Sequence, residues 1–185
     1  YHIWLIKIIR KRLGYQFHLI YKGDNMKIVD NYLPQDYFDH LKTTILGHNF
    51  PWLYEAEVAN VGENQDEHFY FTHRMYENYQ PTSSFFQECG TFFEQLEMNA
   101  LVRARALLYV NQGKQIVHEK HIDYNFEHKT AVFYFNTNNG YTEFEDGTKV
   151  ESVENRVVLF DGSKPHNSST CTDQKVRVVL SINYF

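Results

Sequence analysis

Cysteine is nearly absent from this 185-residue chain, which holds only Cys89 and Cys171 and no C-x-x-C spacing. That argues against a disulfide scaffold and sets the expectation of a reducing, cytoplasmic compartment. Long hydrophobic runs are missing too: no stretch approaches the roughly 20 apolar residues of a membrane span. Basic residues are scarce beyond the start. Residues 1–25 hold five Lys/Arg against one Asp, so with a net charge of −5 overall, residues 26–185 carry about −9. An acidic body of this kind disfavours nucleic acid as the main partner, because phosphate binding needs a positive surface. There is no internal repeat, no low-complexity segment and no nucleophile pattern of the Ser/His/Asp or Cys/His kind.

Aromatics, in contrast, are abundant. Fifteen Phe and 14 Tyr make the core and any pocket aromatic-lined. The opening "YHIWLIKIIRKRLGYQFHLIYKGDN" places its basic cluster Arg10-Lys11-Arg12 after an apolar run, the reverse of a secretory signal. "MKIVDNYLPQDYF" then starts at Met26 as a short strand followed by a helix. The expectation is therefore an extension over residues 1–25 outside the functional unit, with a packed N-terminal helix as the alternative, and one domain over residues 26–185.

Two helices are expected. "LPQDYFDHLKTTILG" has Pro34 in its first turn and Gly47 as its stop. "PTSSFFQECGTFFEQLEMN" offers a capping box, Ser84 with Gln87, and places Phe85, Cys89, Phe92, Phe93 and Leu96 on one helical face. From Leu101 onward the texture changes to short strands rich in β-branched and aromatic residues: "LVRARALLYV", "TAVFYFN", "GYTEFE", "TKVESV", "NRVVLFD" and "KVRVVLSINYF". Turn signals separate them at Asn139-Gly140, Asp146-Gly147 and Asp161-Gly162. Strands at this rhythm with no helix between them imply an antiparallel sandwich or barrel, with the earlier helices packed outside it. The expected fold class is mainly β with flanking helices.

Chemistry concentrates in "HEKHIDYNFEHKTAVFYFN". His121 and Asp123 form an H-x-D pair whose side chains share one face of an extended segment. Alone, such a pair is too common to carry weight. The spacing of His118 and His121 does not match the H-E-x-x-H of zinc proteases; His118 reads as a flanking polar residue and His128 as a solvated one. Further on, His166 follows a strand and a turn, and Arg177 lies on the last strand. There Arg177, Val179, Ser181 and Asn183 share one face, and Val176, Val178, Leu180 and Ile182 the other. An inward Arg needs an anion, and its planar fork suits a carboxylate. Two His and one carboxylate leave open positions on an iron, as in non-haem Fe(II) oxygenases.

"HID" at 121–123, "HNSSTCTDQKVR" at 166–177 and "VLSINYF" together resemble the Fe(II)/2-oxoglutarate-dependent dioxygenase superfamily. Within it the chain is most similar to the prolyl-4-hydroxylase-like branch, including small phage and marine bacterial members. The intervening segment of strand, Tyr-x-Asn, turn, "G-x-T-x-F", a strand ending "LFD" and a distal His follows that branch's order over roughly residues 26–185. One departure is Asn139-Gly140-Tyr141 where many relatives have Gly-Gly, which bears on the pocket wall. The resemblance implies a double-stranded β-helix (jelly-roll, cupin-like) barrel. It implies His121, Asp123 and His166 as iron ligands, Arg177 and Ser181 on the distal carboxylate of 2-oxoglutarate, and Tyr134 and Tyr109 as further co-substrate contacts.

The activity so implied is oxidative decarboxylation of 2-oxoglutarate to succinate and CO2, coupled to hydroxylation of a peptidyl proline, an amino acid or another small molecule. Dioxygen is consumed, and ascorbate is an optional reductant. Asn125, Arg74, "FPWLY" (50–54) and "HFYFTHRMY" (68–76) are expected at the barrel mouth. Two rival readings stand beside this one: a cupin-type metal enzyme that uses no 2-oxoglutarate, and a non-catalytic jelly-roll that binds a partner.

Overall fold

Alternation along the strands sorts side chains into two cores, and the architecture follows from that sorting. A computed structural model describes residues 18–22, 26–58 and 67–185, with backbone pairing alone for 18–22. In chain order the elements are β1 (His18–Lys22), β2 (Met26–Asp30), α1 (Gln35–Leu46), β3 (Leu53–Glu55), β4 (Tyr70–Glu77), β5 (Gln80–Pro81), α2 (Phe85–Glu88), α3 (Gly90–Gln95), β6 (Leu101–Val110), β7 (Lys129–Tyr134), β8 (Tyr141–Phe144), β9 (Lys149–Glu151), β10 (Arg156–Asp161), β11 (His166–Ser168) and β12 (Val176–Tyr184). The major sheet runs β1-β2-β10-β7-β12-β6-β4-β3, with β5 paired to β4, and the minor sheet runs β11-β8-β9. Every pairing is antiparallel. The result is the expected mainly-β jelly roll with helices outside.

On β12, Val178, Leu180 and Ile182 face the helices, while Val179 faces the minor sheet. The helix-side core joins Phe38, Leu41 and Ile45 of α1 and Phe92 and Phe93 of α3 to Ala104, Ala106, Ala131 and Phe133 of the sheet. Small alanines on β6 and β7 leave room for the rings. Phe133 lies at the centre, 5.2 Å from Phe92 and 6.0 Å from Phe38 between ring centroids. The core between the sheets sets Phe144 and Val150 against Leu107, Val132, Val158, Phe160 and Val179. The exits of the barrel lie where these apolar layers give way to polar ones.

Several local expectations change. The second helix is not continuous: it breaks at Cys89 into α2 and α3, and Ser84 makes no side-chain cap. Ser83 acts instead, its hydroxyl accepting from the Phe85 amide at 3.1 Å and bonded to the His73 ring at 2.7 Å. Of the three turn signals, Asp146-Gly147 closes a hairpin, β8 to β9, whereas Asn139-Gly140 and Asp161-Gly162 lie where the chain crosses between sheets. β4 and β3 extend the sheet on the far side of β6, so strands do not wait for Leu101. Of residues 1–25, β1 is the one described piece, as an edge strand on β2; the rest lies outside the described residues. No helix among the described residues is long and apolar enough to cross a membrane.

Phe133→Ala should cost about 3–5 kcal/mol of unfolding free energy by removing the ring on which α1 and α3 both pack. Urea titration of the two proteins checks this; a loss below about 1 kcal/mol would mean the helices dock elsewhere.

Candidate active site

At one end of the barrel the segment between β6 and β7 pairs with β11 through the backbone of the two histidines. His121 and His166 exchange both backbone hydrogen bonds, His121 N–H to His166 O at 2.9 Å and the reverse at 3.0 Å. Their rings lie 4.7 Å apart between centroids. The amide of Asp123 donates to Gly162 O at 3.2 Å, which ties its loop to the turn after β10. A Cβ on Gly162 would collide with Thr130 and His128, so glycine is what permits this approach. The outcome is that one ligand atom from each of His121, Asp123 and His166 falls within 4.8 Å of the others.

Each histidine is oriented by its own chain. Nδ1 of His166 bonds Lys164 O at 3.0 Å, and Nδ1 of His121 bonds Glu119 O at 3.4 Å. A carbonyl can only accept, so Nδ1 carries the proton and Nε2 keeps its lone pair for a metal. The Asp123 carboxylate is buried and fully engaged. Oδ1 accepts from Arg103 Nη2 at 2.9 Å, and Oδ2 accepts from Thr130 Oγ1 at 3.0 Å and Asn183 Nδ2 at 2.8 Å. Burial opposes its ionisation, but His166, Arg103, Arg105 and the Asn183 bond outweigh it and hold the carboxyl at about 2. Burial, with His166 second, pushes His121 down to about 4. At neutral pH the set is therefore one anion and neutral imidazole at His121, the protonation state that a divalent metal requires.

A cavity of about 170 Å³ joins this triad to Arg177. The guanidinium is 1% exposed. Nε donates to Ser152 Oγ at 2.8 Å and Nη2 to Thr142 Oγ1 at 3.1 Å, while Nη1 has no partner among the described residues. A buried cation with one unpaired donor is costly unless an anion enters. Gly140 makes the placement possible, since a Cβ there would lie 2.5 Å from Arg177 Cδ and 2.8 Å from Asn138 Oδ1. The departure at 139–141 thus keeps the glycine against which Arg177 packs.

The expected co-substrate residues separate by position. Ser181 and Tyr109 line the cavity with Arg177. The Tyr109 ring lies 5.4 Å below the Arg177 guanidinium and stacks on Tyr70 at 5.9 Å. Tyr134 is completely buried and its hydroxyl donates to Thr142 Oγ1 at 2.9 Å, with its ring under Arg177 at 5.6 Å. Thr142 Oγ1 accepts from both Tyr134 and Arg177, so its own proton is free to point into the cavity. Sequence reasoning missed Thr142, and it missed Arg103 and Arg105, which share the cavity. The signal for the pair was R-x-R inside an otherwise apolar strand, in phase with Tyr109.

His118 and His128 are not peripheral. His118 is 2% exposed, bonded through Nδ1 to Ser168 Oγ at 2.8 Å and packed 5.1 Å from the Tyr109 ring. Burial first, then His68 and Arg177, push it down to about 3. His128 is 5% exposed, with Nδ1 on Phe126 O at 2.8 Å. At the proposed mouth, Arg74 instead forms exposed pairs with Glu55 at 2.8 Å and Glu77 at 3.5 Å. Phe50 and Trp52 pack in the helix-side core, and Asn125 lies outside the cavity lining; Tyr70 is the lining residue from the 68–76 segment.

Against solved structures, the chain matches a prolyl hydroxylase from Trichoplax adhaerens, solved with a hypoxia-inducible-factor oxygen degradation domain peptide fragment. The TM-score is 0.62 and identity 12%, over 98% of this chain and 89% of that one. A viral collagen prolyl hydroxylase of Paramecium Bursaria Chlorella virus-1, as its 2OG complex, matches with TM-score 0.57 and 11% identity over 88% and 98%. The non-heme alpha-ketoglutarate-dependent epimerase SnoN of nogalamycin biosynthesis matches with TM-score 0.60 and 14% identity over 97% and 83%. This is the prolyl-4-hydroxylase-like fold of the Fe(II)/2-oxoglutarate oxygenases. No protein-family model and no curated protein matches the sequence. In this oxygenase fold the barrel end that holds His121, Asp123, His166 and Arg177 is the one that carries the polar cavity.

Two outcomes follow. His118 and His121 hold protons less readily here than the 6.5 of an unperturbed imidazole, so the unfolded chain binds more protons below that pH. Stability of the metal-free protein should therefore fall as pH drops from about 6.5 through 4 toward 3, measured as urea midpoints across that window; a flat profile would contradict neutral buried rings. Gly140→Ala should cost about 1–3 kcal/mol in the same assay, because Arg177 and Asn138 must move.

Proposed function

We propose that this protein is an Fe(II)- and 2-oxoglutarate-dependent dioxygenase acting as a hydroxylase. The observation that carries the reading is the buried Arg177 Nη1, left without a partner in the same cavity as a His/Asp/His triad. A fully buried guanidinium aimed into a metal-sized polar site is explained by a resident carboxylate and by little else. The residues fit the group: His121 and His166 offer Nε2, Asp123 offers a carboxylate oxygen, and all three sit at one end of the barrel.

In this reading Fe(II), when bound, supplies dioxygen activation coupled to decarboxylation of 2-oxoglutarate. The chain's own residues hold and orient. Arg103, Thr130 and Asn183 fix the Asp123 carboxylate, and the carbonyls of residues 119 and 164 fix the two imidazoles. Arg177 receives the distal carboxylate of 2-oxoglutarate through Nη1, with Thr142 and Ser181 offering hydroxyl protons beside it. Tyr109 walls the cavity under the guanidinium. Tyr134 acts through Thr142, which it orients, and so is a positioning residue. The apolar layer of Leu107, Val132 and Val179 keeps bulk water from the carboxylate end. Candidate substrates are a peptidyl proline, as the peptide complex of the Trichoplax enzyme suggests, a free amino acid or another small molecule.

The test is anaerobic binding of Fe(II) and 2-oxoglutarate, followed by oxygen-dependent succinate formation with ascorbate present. His121→Ala and His166→Ala should abolish iron binding and succinate release. Arg177→Ala should weaken 2-oxoglutarate on the order of 10–100-fold and iron by less than about threefold. Retained activity in either histidine variant, or equal weakening of iron and 2-oxoglutarate in Arg177→Ala, would overturn the assignment. Metal-dependent turnover without 2-oxoglutarate would favour a cupin-type enzyme instead.

A further inference from the structure

The cavity holds a third arginine, one that the proposed chemistry does not use. Arg105 lies on β6, directly opposite Ser181 on β12 and Arg74 on β4, and lines the cavity with His121, Asp123 and His166. Its charge acts on Asp123, His121, Tyr70 and Arg103, all of which line the same cavity. Its Nε is buried with no hydrogen-bond partner, and it forms no ion pair among the described residues. Among the described residues, the nearby acids are engaged elsewhere. Asp123 is taken by Arg103, and Glu55 and Glu77 on the β3–β4 side are taken by Arg74.

Charge bookkeeping sharpens the point. Arg103, Arg105 and Arg177 face one carboxylate, Asp123, in the cavity lining. A divalent metal adds two positive charges and a 2-oxoglutarate dianion removes two. The loaded site keeps a surplus of two positive charges, and the unpartnered Arg105 carries one of them. A low-dielectric site with uncompensated cations favours an anion strongly. Arg103 is a poorer receiver, because its charge is already paired with Asp123 and none of its nitrogens is a buried donor left without a partner among the described residues.

We infer that Arg105 is the specificity-determining residue for the substrate, and that the substrate presents a carboxylate to it. This rests on the oxygenase reading above and narrows it: a neutral prolyl peptide would leave the Arg105 donor buried and unpaired, whereas a carboxylate-bearing substrate would pair it. The carboxylate enters beside Tyr70, nearer on β6 to Arg103 than to Tyr109, the residue that stands opposite Arg177. It holds the substrate's C–H bonds near the triad without competing for the 2-oxoglutarate position. The carboxylate can be the terminal group of a free amino acid or the side chain of an acidic residue in a peptide, and the two differ only in what else must fit.

Matched acid and amide probes separate these cases. L-proline is titrated against L-prolinamide, N-acetyl-L-glutamate amide against N-acetyl-L-glutamine amide, and a capped neutral prolyl tripeptide serves as reference. Binding is read by calorimetry and by shift of the melting temperature, anaerobically, with and without Fe(II) and 2-oxoglutarate. In the loaded protein at least one acid should bind and its amide should bind about tenfold or more weakly. Arg105→Gln should remove that preference while weakening 2-oxoglutarate by less than Arg177→Ala does, and Arg105→Lys should restore part of it. A response to L-proline alone assigns a free α-carboxylate; a response to the glutamyl probe alone assigns an acidic side chain. Equal binding of acids and amides, preference for the neutral tripeptide, no acid binding to a protein that does bind iron and 2-oxoglutarate, or a preference that survives in a folded Arg105→Gln would each overturn the inference. Failure to bind iron and 2-oxoglutarate at all would overturn the oxygenase reading instead, and is seen separately in the same titrations.

Discussion

The alternation of side chains along β12 is the constraint on which the rest of the structure depends. This strand sits between β7 and β6, with both faces covered. One face presents Val178, Leu180 and Ile182 to the helices, and the other presents Arg177 and Ser181 to the cavity and Asn183 to the Asp123 carboxylate. A slip of one residue would place a guanidinium among Phe92 and Phe133 and turn the apolar set toward the triad. The same register also fixes the neighbours. Arg177 stands opposite Tyr109, Ser181 opposite Arg105 and Val132, and Asn183 opposite Arg103 and Thr130. Every polar group of the site that comes from β6 or β7 is thus in phase with β12.

Burying so many charges is tolerable because each established one is held by neutral hydrogen-bond partners or by an opposite charge at close range. Asp123 has an arginine, a hydroxyl and an amide; Arg177 has two hydroxyls. Such networks are rigid when satisfied and costly when one member is missing. The exceptions are what make the site chemically informative. Among the described residues, Arg177 Nη1 and Arg105 Nε are buried donors without partners, and both arginines line one cavity. The two glycines that matter, Gly140 and Gly162, lie where the chain crosses between sheets, and each clears space beside one of the site's buried polar groups.

Much of the fold could be read directly. The strands from Leu101 onward, the helix stopping at Gly47 and the two faces of β12 follow from period-two and period-3.6 patterning. The rest was hidden for identifiable reasons. β4 reads as an aromatic, His- and Arg-bearing segment because its cavity-side residue Tyr70 and its exposed Arg74 obscure the alternation. The break at Cys89 is not visible as a pattern, since Cys89, Phe92 and Phe93 remain in one core after the helix divides. His118 and His128 look like loop residues because polar neighbours surround them in sequence, yet packing against Tyr109 and Phe126 buries them.

By itself the sequence determined the class of the fold and the strand that must be two-faced, and it offered candidates for holding a metal and a carboxylate. Those depend on side-chain type and parity, which are local properties. Tertiary structure alone decided which of these groups meet. It brought His121 beside His166 across a backbone bridge, gave Tyr134 to Thr142 rather than to the open cavity, and left Arg105 unpaired. The reason is that partnership among buried polar groups is settled by distances between elements far apart in the chain, and no spacing along one strand encodes them.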